Sequence, residues 1–365
     1  MEERISRVAL TLVPGIGDVL GKKLVARCGS AEAVFSEKKK LLRKIPRIGE
    51  AVIEALASKD VFQKAEKEIA FMDRYRIRMF FFRDKEYPFR LRNCYDSPLL
   101  LYYKGNADLN AGKILGIVGT RKATPYGKEI CRSLTAGMAG QQVLVVSGLA
   151  FGIDACAHRA ALDAGLPTVA VLGHGLDRIY PDLNRHLAEK MTGQGGLLTD
   201  FPSGTNPDRE NFPRRNRIIA GLCDAIVVVE AGSKGGALIT AEIANSYNRD
   251  VFAVPGRIGD PWSEGANALI RTNKAALIQS ADDIRYMMGW DTPPGNKPPV
   301  QRKIFIEMTP EEEKIFAILN ESGKTGIDEL CIKAGIPMSR VSAALLNLEF
   351  EGVVRSLPGK QYELG

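Results

Sequence analysis

The feature that most constrains this chain is a series of short apolar segments between residues 80 and 288, separated by stretches with helical periodicity. The segments are 113–118, 143–147, 168–172, 225–230, 251–254 and 276–279. Strands without polar alternation are buried on both faces, and strands that alternate with helices form parallel sheets. The sequence therefore predicts an α/β fold in which residues 80–288 form a doubly wound, mostly parallel sheet.

The regions on either side of this Rossmann-like unit predict two smaller domains. Residues 1–75 read as short helices with two similar turns, Val13-Pro14-Gly15-Ile16-Gly17 and Ile45-Pro46-Arg47-Ile48-Gly49. Such turns resemble the helix-hairpin-helix (SAM-like) element, which offers backbone amides to a DNA phosphate. Turn glycines are common, so we favour the alternative that these are packing corners.

Residues 289–304 are rich in proline and predict a linker, followed by a third domain over 305–365. Thr309 is expected to cap a first helix, and helices over 327–334 and 338–351 precede a hairpin. This order predicts a winged helix, a fold that binds duplex DNA in some proteins and protein in others. A duplex-binding transcription regulator is a function hypothesis that depends on this domain alone.

The charge and cysteine content narrow the class of protein. A net charge of +7 and a pI near 9.0 suit a polyanionic partner, although a merely basic protein has the same values. The six cysteines form no CxxC pair and the three histidines do not cluster with them, which favours a cytoplasmic protein with reduced thiols and no metal site. We expect no signal peptide and no membrane span.

Ligands of open parallel sheets bind beyond the carboxyl ends of the strands, where this sequence has glycine-rich loops. Such loops expose amides at helix starts, which favour phosphate. The candidates in these loops are Gly119, Thr120, Arg121, Lys122, Ser147, Gly148 and Lys234.

The segment 211–220 contains the densest group of candidate contacts: Phe212, Arg214, Arg215, Asn216 and Arg217. Pro213 predicts a helix that begins there, which puts the arginines in the first turn. The helix dipole disfavours cations at that end, so their presence suggests a bound anion. The alternative is a solvated charged face. Phe212 is expected to be exposed and to stack on a base.

The sequence favours binding over catalysis. Asp154, Glu230 and Glu242 lie near the loops, but no catalytic triad, paired carboxylates, GxxxxGK[ST] loop or GxGxxG turn occurs. Asp154 is interpreted as a residue that caps or orients a loop. We therefore predict no catalytic residue and no cofactor. A nucleotide-processing hydrolase related to phosphoribohydrolases is the alternative, but 231–238 lacks the PGGxGTxxE motif of those enzymes.

Six motifs in order resemble the DNA-processing protein A family (DprA, also called Smf). They are Gly119-Thr120-Arg121, Ser147–Asp154, Tyr180-Pro181-x-x-Asn184, Phe212–Ile219, Gly236–Ala241 and Val254-Pro255-Gly256. The resemblance covers nearly the whole chain, including the helical beginning and the winged helix.

The resemblance implies a cytoplasmic protein that binds and protects single-stranded DNA and loads a RecA-type recombinase in natural transformation. It also implies a homodimer formed through the Rossmann-like domain. By position in the motifs, Arg121 holds a phosphate, and the strand path is lined by Arg209, Phe212, Arg215 and Arg217.

Overall fold

The structure is a computed structural model that describes residues 3–46, 48–290, 308–357 and 360–365. Arg47, most of the predicted linker and the tip of the predicted C-terminal hairpin lie outside the described residues. Within residues 3–46 and 48–290, no helix is both long and apolar enough to cross a membrane, and the same holds for 308–365 where described.

The centre of the molecule is a nine-stranded sheet within 48–290 with the order β1-β2-β6-β5-β4-β3-β7-β8-β9. The strands are β1 (Arg78–Phe81), β2 (Leu100–Gly105), β3 (Lys113–Val118), β4 (Val143–Ser147), β5 (Thr168–Val171), β6 (Gly195–Thr199), β7 (Ala225–Val228), β8 (Asp250–Ala253) and β9 (Ala276–Leu277). Strands β3 to β9 pair in parallel. The predicted doubly wound, mostly parallel α/β fold is confirmed.

Three strands were not predicted: β1, β2 and β6. Their two antiparallel pairings form one edge of the sheet, the antiparallel edge, and β6 also pairs in parallel with β5. β6 begins with two glycines, a residue type that strands disfavour. Gly196 is required there because a Cβ atom would lie 2.5 Å from the ring of Tyr103, and at Gly195 it would meet the Thr168 backbone. Close packing between strands therefore removes the apolar pattern by which a strand is recognised.

Helices cover both faces of the sheet. One face packs against α8 (Pro125–Ala136), α9 (Ile153–Asp163) and α14 (Ala281–Met287). The other packs against α7 (Phe89–Arg92), α11 (Asn211–Leu222), α12 (Gly236–Ser246) and α13 (Glu264–Arg271), while α10 (Arg185–Gly193) packs beside α9. Thr124 caps α8 by accepting a hydrogen bond from the amide of Gly127, and Pro125 follows at the first helical position.

The N-terminal helices pack on the antiparallel edge of the sheet. They are α1 (Glu3–Leu12), α2 (Asp18–Cys28), α3 (Ala31–Ser36), α4 (Lys39–Leu42), α5 (Glu50–Leu56) and α6 (Lys59–Tyr75). Their core continues into Phe81, Leu100 and Tyr102 of β1 and β2. Buried Glu68 on α6 accepts hydrogen bonds from the backbone and hydroxyl of Ser203, beyond β6. Core packing is therefore continuous across residue 75.

The C-terminal region is a winged helix with its own apolar core. It contains α15 (Pro310–Ser322), β10 (Thr325–Gly326), α16 (Ile327–Ala334), α17 (Met338–Phe350), β11 (Val354–Leu357) and β12 (Gln361–Leu364). Thr309 and Glu312 form the expected capping box at the start of α15. The three strands pair in the order β10-β12-β11, so the predicted wing is confirmed.

Candidate nucleic-acid interface

The sheet reverses its winding between β3 and β7, and the loops after these two strands diverge there. From β3 the chain proceeds through β4 and β5 to β6 on one side, and from β7 through β8 to β9 on the other. A crevice at such a point is the usual ligand site of an open α/β sheet. The loops at the carboxyl ends of β3 to β7 form an edge that we call the rim.

An aromatic and cationic cluster centres on Phe212 in the rim. The guanidinium carbon of Arg121 lies 5.5 Å from the centre of the Phe212 ring, and that of Arg215 lies 6.0 Å from it. The ring of Tyr180 lies 6.0 Å from that of Phe212, at an interplanar angle of 38°. The cluster thus brings together four residues from two loops and one helix.

The predicted site residues divide into three groups by exposure. Those with exposed side chains are Arg121, Lys122, Arg209, Arg214 and Lys234. Those that are half-buried are Gly119, Thr120, Phe212 and Arg217. Those that are buried are Ser147, Gly148, Arg215 and Asn216. Direct contact with a large ligand is therefore open to the first group and partly open to the second.

The prediction that helix α11 begins at Pro213 is wrong. The helix begins at Asn211, so Pro213 is its third residue and Arg215 and Arg217 are its fifth and seventh. The dipole effect is concentrated in the first turn. It therefore does not explain Arg215 and Arg217, whose side chains make contacts inside the protein.

Arg215 is buried beneath the rim. Its Nη1 donates to the carbonyl oxygen of Val171, and it fits against Gly148, where an added Cβ atom would meet the guanidinium. Its Nε has no hydrogen-bond partner among the residues that the structure describes. Burial lowers the pKa of Arg215 to about 10, although the nearby Asp154 favours the charge. The protein thus holds a positive charge that its own groups compensate only in part.

The charge of Arg217, in contrast, is compensated inside the protein, because two carboxylates accept hydrogen bonds from its guanidinium group. Its Nη2 lies 2.8 Å from Oδ2 of Asp18 and 2.8 Å from Oδ2 of Asp200, and its Nη1 donates to the carbonyl oxygen of Asp96. Burial opposes the charge, but the carboxylates outweigh it, and the pKa of Arg217 is raised. Neutral replacement of Arg215 or Arg217 would remove these contacts inside the protein.

Asp154 orients the loop after β4, as interpreted from the sequence. It is buried, and burial raises its pKa, while Arg215 and the backbone of Ala150 and Gly148 act in the opposite direction. Ser147 turns inward and donates to the carbonyl oxygen of Ile117 at 2.6 Å. Ser147, Gly148 and Asp154 therefore support Arg215 from within, while Phe151 is the exposed aromatic residue of this loop.

Glu230, like Asp154, forms hydrogen bonds that hold a loop of the rim in place. Its carboxylate accepts from the amide and hydroxyl of Thr124, and its carbonyl oxygen accepts from the amide of Thr120. It is buried against Gly127. Glu230 thus joins the loops after β3 and β7 and fixes the start of α8.

Two exposed aromatic residues of the rim were not predicted as site residues, Phe151 and Tyr180. Tyr180 lies within a motif that the sequence analysis used, and its exposure was the missing clue. Among the residues that the structure describes, no group of three or more His, Cys, Asp or Glu side chains is placed to hold a metal ion.

This chain resembles members of one known protein family over nearly its whole length. Residues 78–289 match the model of the DNA recombination-mediator protein A family, and residues 294–360 match the winged helix domain of DprA. The chain belongs to the DNA recombination-mediator protein A family. It is 34% identical to protein Smf of Synechocystis sp. over 98% of this chain and 97% of that protein. It is 43% identical to the DNA processing protein DprA of Bacillus subtilis over 55% of this chain and 67% of that protein.

Two solved structures of the family resemble this fold. The DNA processing protein A of Streptococcus pneumoniae has a TM-score of 0.64 and 32% identity, covering 78% of this chain and 98% of that one. The protein of Helicobacter pylori, described for its unique single-stranded DNA binding mode, has a TM-score of 0.54 and 27% identity. That match covers 59% of this chain and 96% of the other.

Replacing Arg217 is expected to destabilise the protein. Arg217→Gln leaves the carboxylates of Asp18 and Asp200 without their partner, which costs about 3–5 kcal/mol when a buried pair is broken. Burial already raises the pKa of Asp200, and losing Arg217 raises it further. A carboxyl group with a raised folded-state pKa gains stability as pH falls through that value. The stability that Arg217→Gln loses relative to the unaltered protein should therefore be smaller at pH 5 than at pH 7.

The measurement is the melting temperature at both pH values, with Arg214→Gln as the matched control because Arg214 is exposed on the same helix. The control should melt like the unaltered protein. Equal melting temperatures of Arg217→Gln and Arg214→Gln would show that the ion pairs of Arg217 do not stabilise the fold.

Proposed function

We propose that this protein binds single-stranded DNA along the rim, protects it, and acts by binding rather than by catalysis. The observation that carries the proposal is the cluster of Arg121, Arg215 and Tyr180 around Phe212. Single strands are bound without sequence preference where cations follow the backbone and aromatic rings stack on bases. The buried, internally bonded Asp154 and Glu230 support a role without chemistry.

Charge compensation supports a phosphate beside Arg121. Arg215 lies below the cluster with an unpartnered Nε and only a partial counter-charge, and Arg121 acts on it as a like charge. A buried charge that lacks compensation is costly. A backbone phosphate at the surface above both arginines supplies the missing negative charge. Binding therefore relieves an unfavourable interaction that is present in the free protein, and this relief adds to the binding free energy.

The rim and the exposed cations next to it suit a strand better than a small anion. Lys122, Arg209, Arg214 and Lys234 are all exposed, and none of them takes part in an ion pair among the described residues. Several separated cations match the repeated charges of a polymer. In this proposal Arg217 positions α11 and supports the strand path indirectly.

A phosphate contact by Arg121 and base stacking on Phe212 predict different effects of mutation on the salt dependence of binding. Arg121→Gln should weaken binding of an oligothymidylate and reduce the log–log salt slope by about 0.7, the value for one phosphate contact on a single strand. Phe212→Ala should weaken binding by about 1–3 kcal/mol through lost stacking, with little change in salt slope. The measurement is a fluorescence-anisotropy titration at several salt concentrations.

Arg43→Gln is the control, since Arg43 is exposed in the N-terminal helices and far along the chain from the rim. It should bind like the unaltered protein. Binding of blunt duplex as tight as that of single strands, or unchanged binding by both rim variants, would contradict the proposed function.

We also propose a homodimer formed through the Rossmann-like domain. β9 is the last strand of the sheet order, both of its residues are exposed, and Leu277, Tyr286 and Met287 expose apolar surface beside it. An unpaired edge with apolar neighbours favours pairing with a second chain. Sedimentation should give a dimer for the unaltered protein and for Tyr95→Glu, an exposed tyrosine elsewhere, but a monomer for Tyr286→Glu. Identical masses for the unaltered protein and both variants would contradict the proposal that the chains pair through the β9 edge.

The proposed partner is a RecA-type recombinase, which the protein loads onto single strands in transformation. Membership of a recombination-mediator family supports this role, and the six free cysteines suit a cytoplasmic location. Recombinase filaments should assemble faster on strands covered by single-strand-binding protein when this protein is added. Arg121→Gln, which binds the strand poorly, should lose that acceleration. Equal assembly with and without the protein would contradict the loading role.

A further inference from the structure

A cavity of about 620 Å³ opens from the rim between α8 and α9. Arg121, Lys122, Phe151 and Gly152 line its upper end, so it is continuous with the rim. Lys128, Arg132 and Arg159 line it further along the two helices. We call this cavity the α8–α9 groove.

The groove is strongly positive. Five cationic side chains line it and Asp163 is the one carboxylate among the lining residues. No ion pair among the described residues involves Lys128, Arg132 or Arg159, whereas other surface cations such as Arg185 and Lys274 have carboxylate partners. Arg159 donates a hydrogen bond to the amide oxygen of Asn184 at 3.5 Å. Uncompensated like charges in one groove repel one another unless a polyanion binds there.

The shape of the groove is set by small residues of α9 and its preceding turn. Gly152, Ala155 and Ala160 line the floor, where larger side chains would fill the space. A Cβ atom at Gly152 would meet the backbone of Thr120 and Arg121, so glycine is required where the groove joins the rim. The groove is thus kept open next to the candidate site.

The cations are spaced for a polymer backbone. Lys128 and Arg132 are four residues apart on α8, which is about one helical turn or 5.4 Å along the axis. Arg159 faces them from α9. This arrangement offers successive contacts along an extended strand, and the exposed Phe151 ring at the junction offers a stacking surface for a base.

We propose that a bound single strand continues from the rim into the α8–α9 groove, where Lys128, Arg132 and Arg159 hold its backbone phosphates. This inference rests on the proposed function of the rim and extends it. It makes the groove a second segment of one binding path, occupied only by strands long enough to reach beyond the rim.

The experiment compares a short and a long oligothymidylate, of about six and about eighteen nucleotides, which bracket the sizes that single-strand modules occupy. The variant is Lys128→Gln/Arg132→Gln/Arg159→Gln in the full chain. The matched control is Lys59→Gln/Lys64→Gln/Lys67→Gln, which removes the same charge from exposed positions on α6. Melting temperatures of both variants check that they are folded.

The groove variant should bind the long strand roughly tenfold more weakly or worse, with a salt slope reduced by about 2, the value for three lost contacts. It should bind the short strand like the unaltered protein, and the control variant should bind both normally. Unchanged binding of the long strand, or equal weakening for both lengths, would overturn the inference while leaving the rim proposal standing. Failure of the unaltered protein to bind either strand would overturn both.

Discussion

Arg217 joins three parts of the molecule through one guanidinium group, and the geometry of the rim depends on it. Asp18 begins α2 in the N-terminal helices, Asp200 follows β6, and Arg217 lies on α11. The acidic first residue of α2 also favours its own helix dipole. Because α11 carries Phe212 and Arg215 as well, the ion pairs that seat the helix also fix the height and direction of the candidate binding residues.

The two buried arginines of α11 show how the same residue type serves opposite purposes. The charge of Arg217 is compensated by carboxylates inside the protein and stabilises the fold. Arg215 is buried near one carbonyl oxygen and the carboxyl group of Asp154, and burial lowers the pKa of Arg215, so its charge is compensated only in part.

The sequence predicted the parallel strands well because burial on both faces demands uninterrupted apolar residues. It did not predict β6, where packing against Tyr103 requires glycine. It recognised the rim loops from their glycines and cations, but it treated Arg215 and Arg217 as surface residues. Their partners lie far away in the chain, and the contact between Arg217 and Asp18 spans 199 positions. No local pattern reports such a pairing.

The dipole argument failed for a related reason. It assigned the arginines to the first turn from Pro213 alone, whereas Asn211 and Phe212 are already helical. Arg215 faces inward and Arg214 is exposed because α11 packs against the sheet on the side that carries Arg215. Positive charge in a nucleic-acid site is best assigned by asking which cations the fold leaves uncompensated, and both the rim and the α8–α9 groove meet that condition.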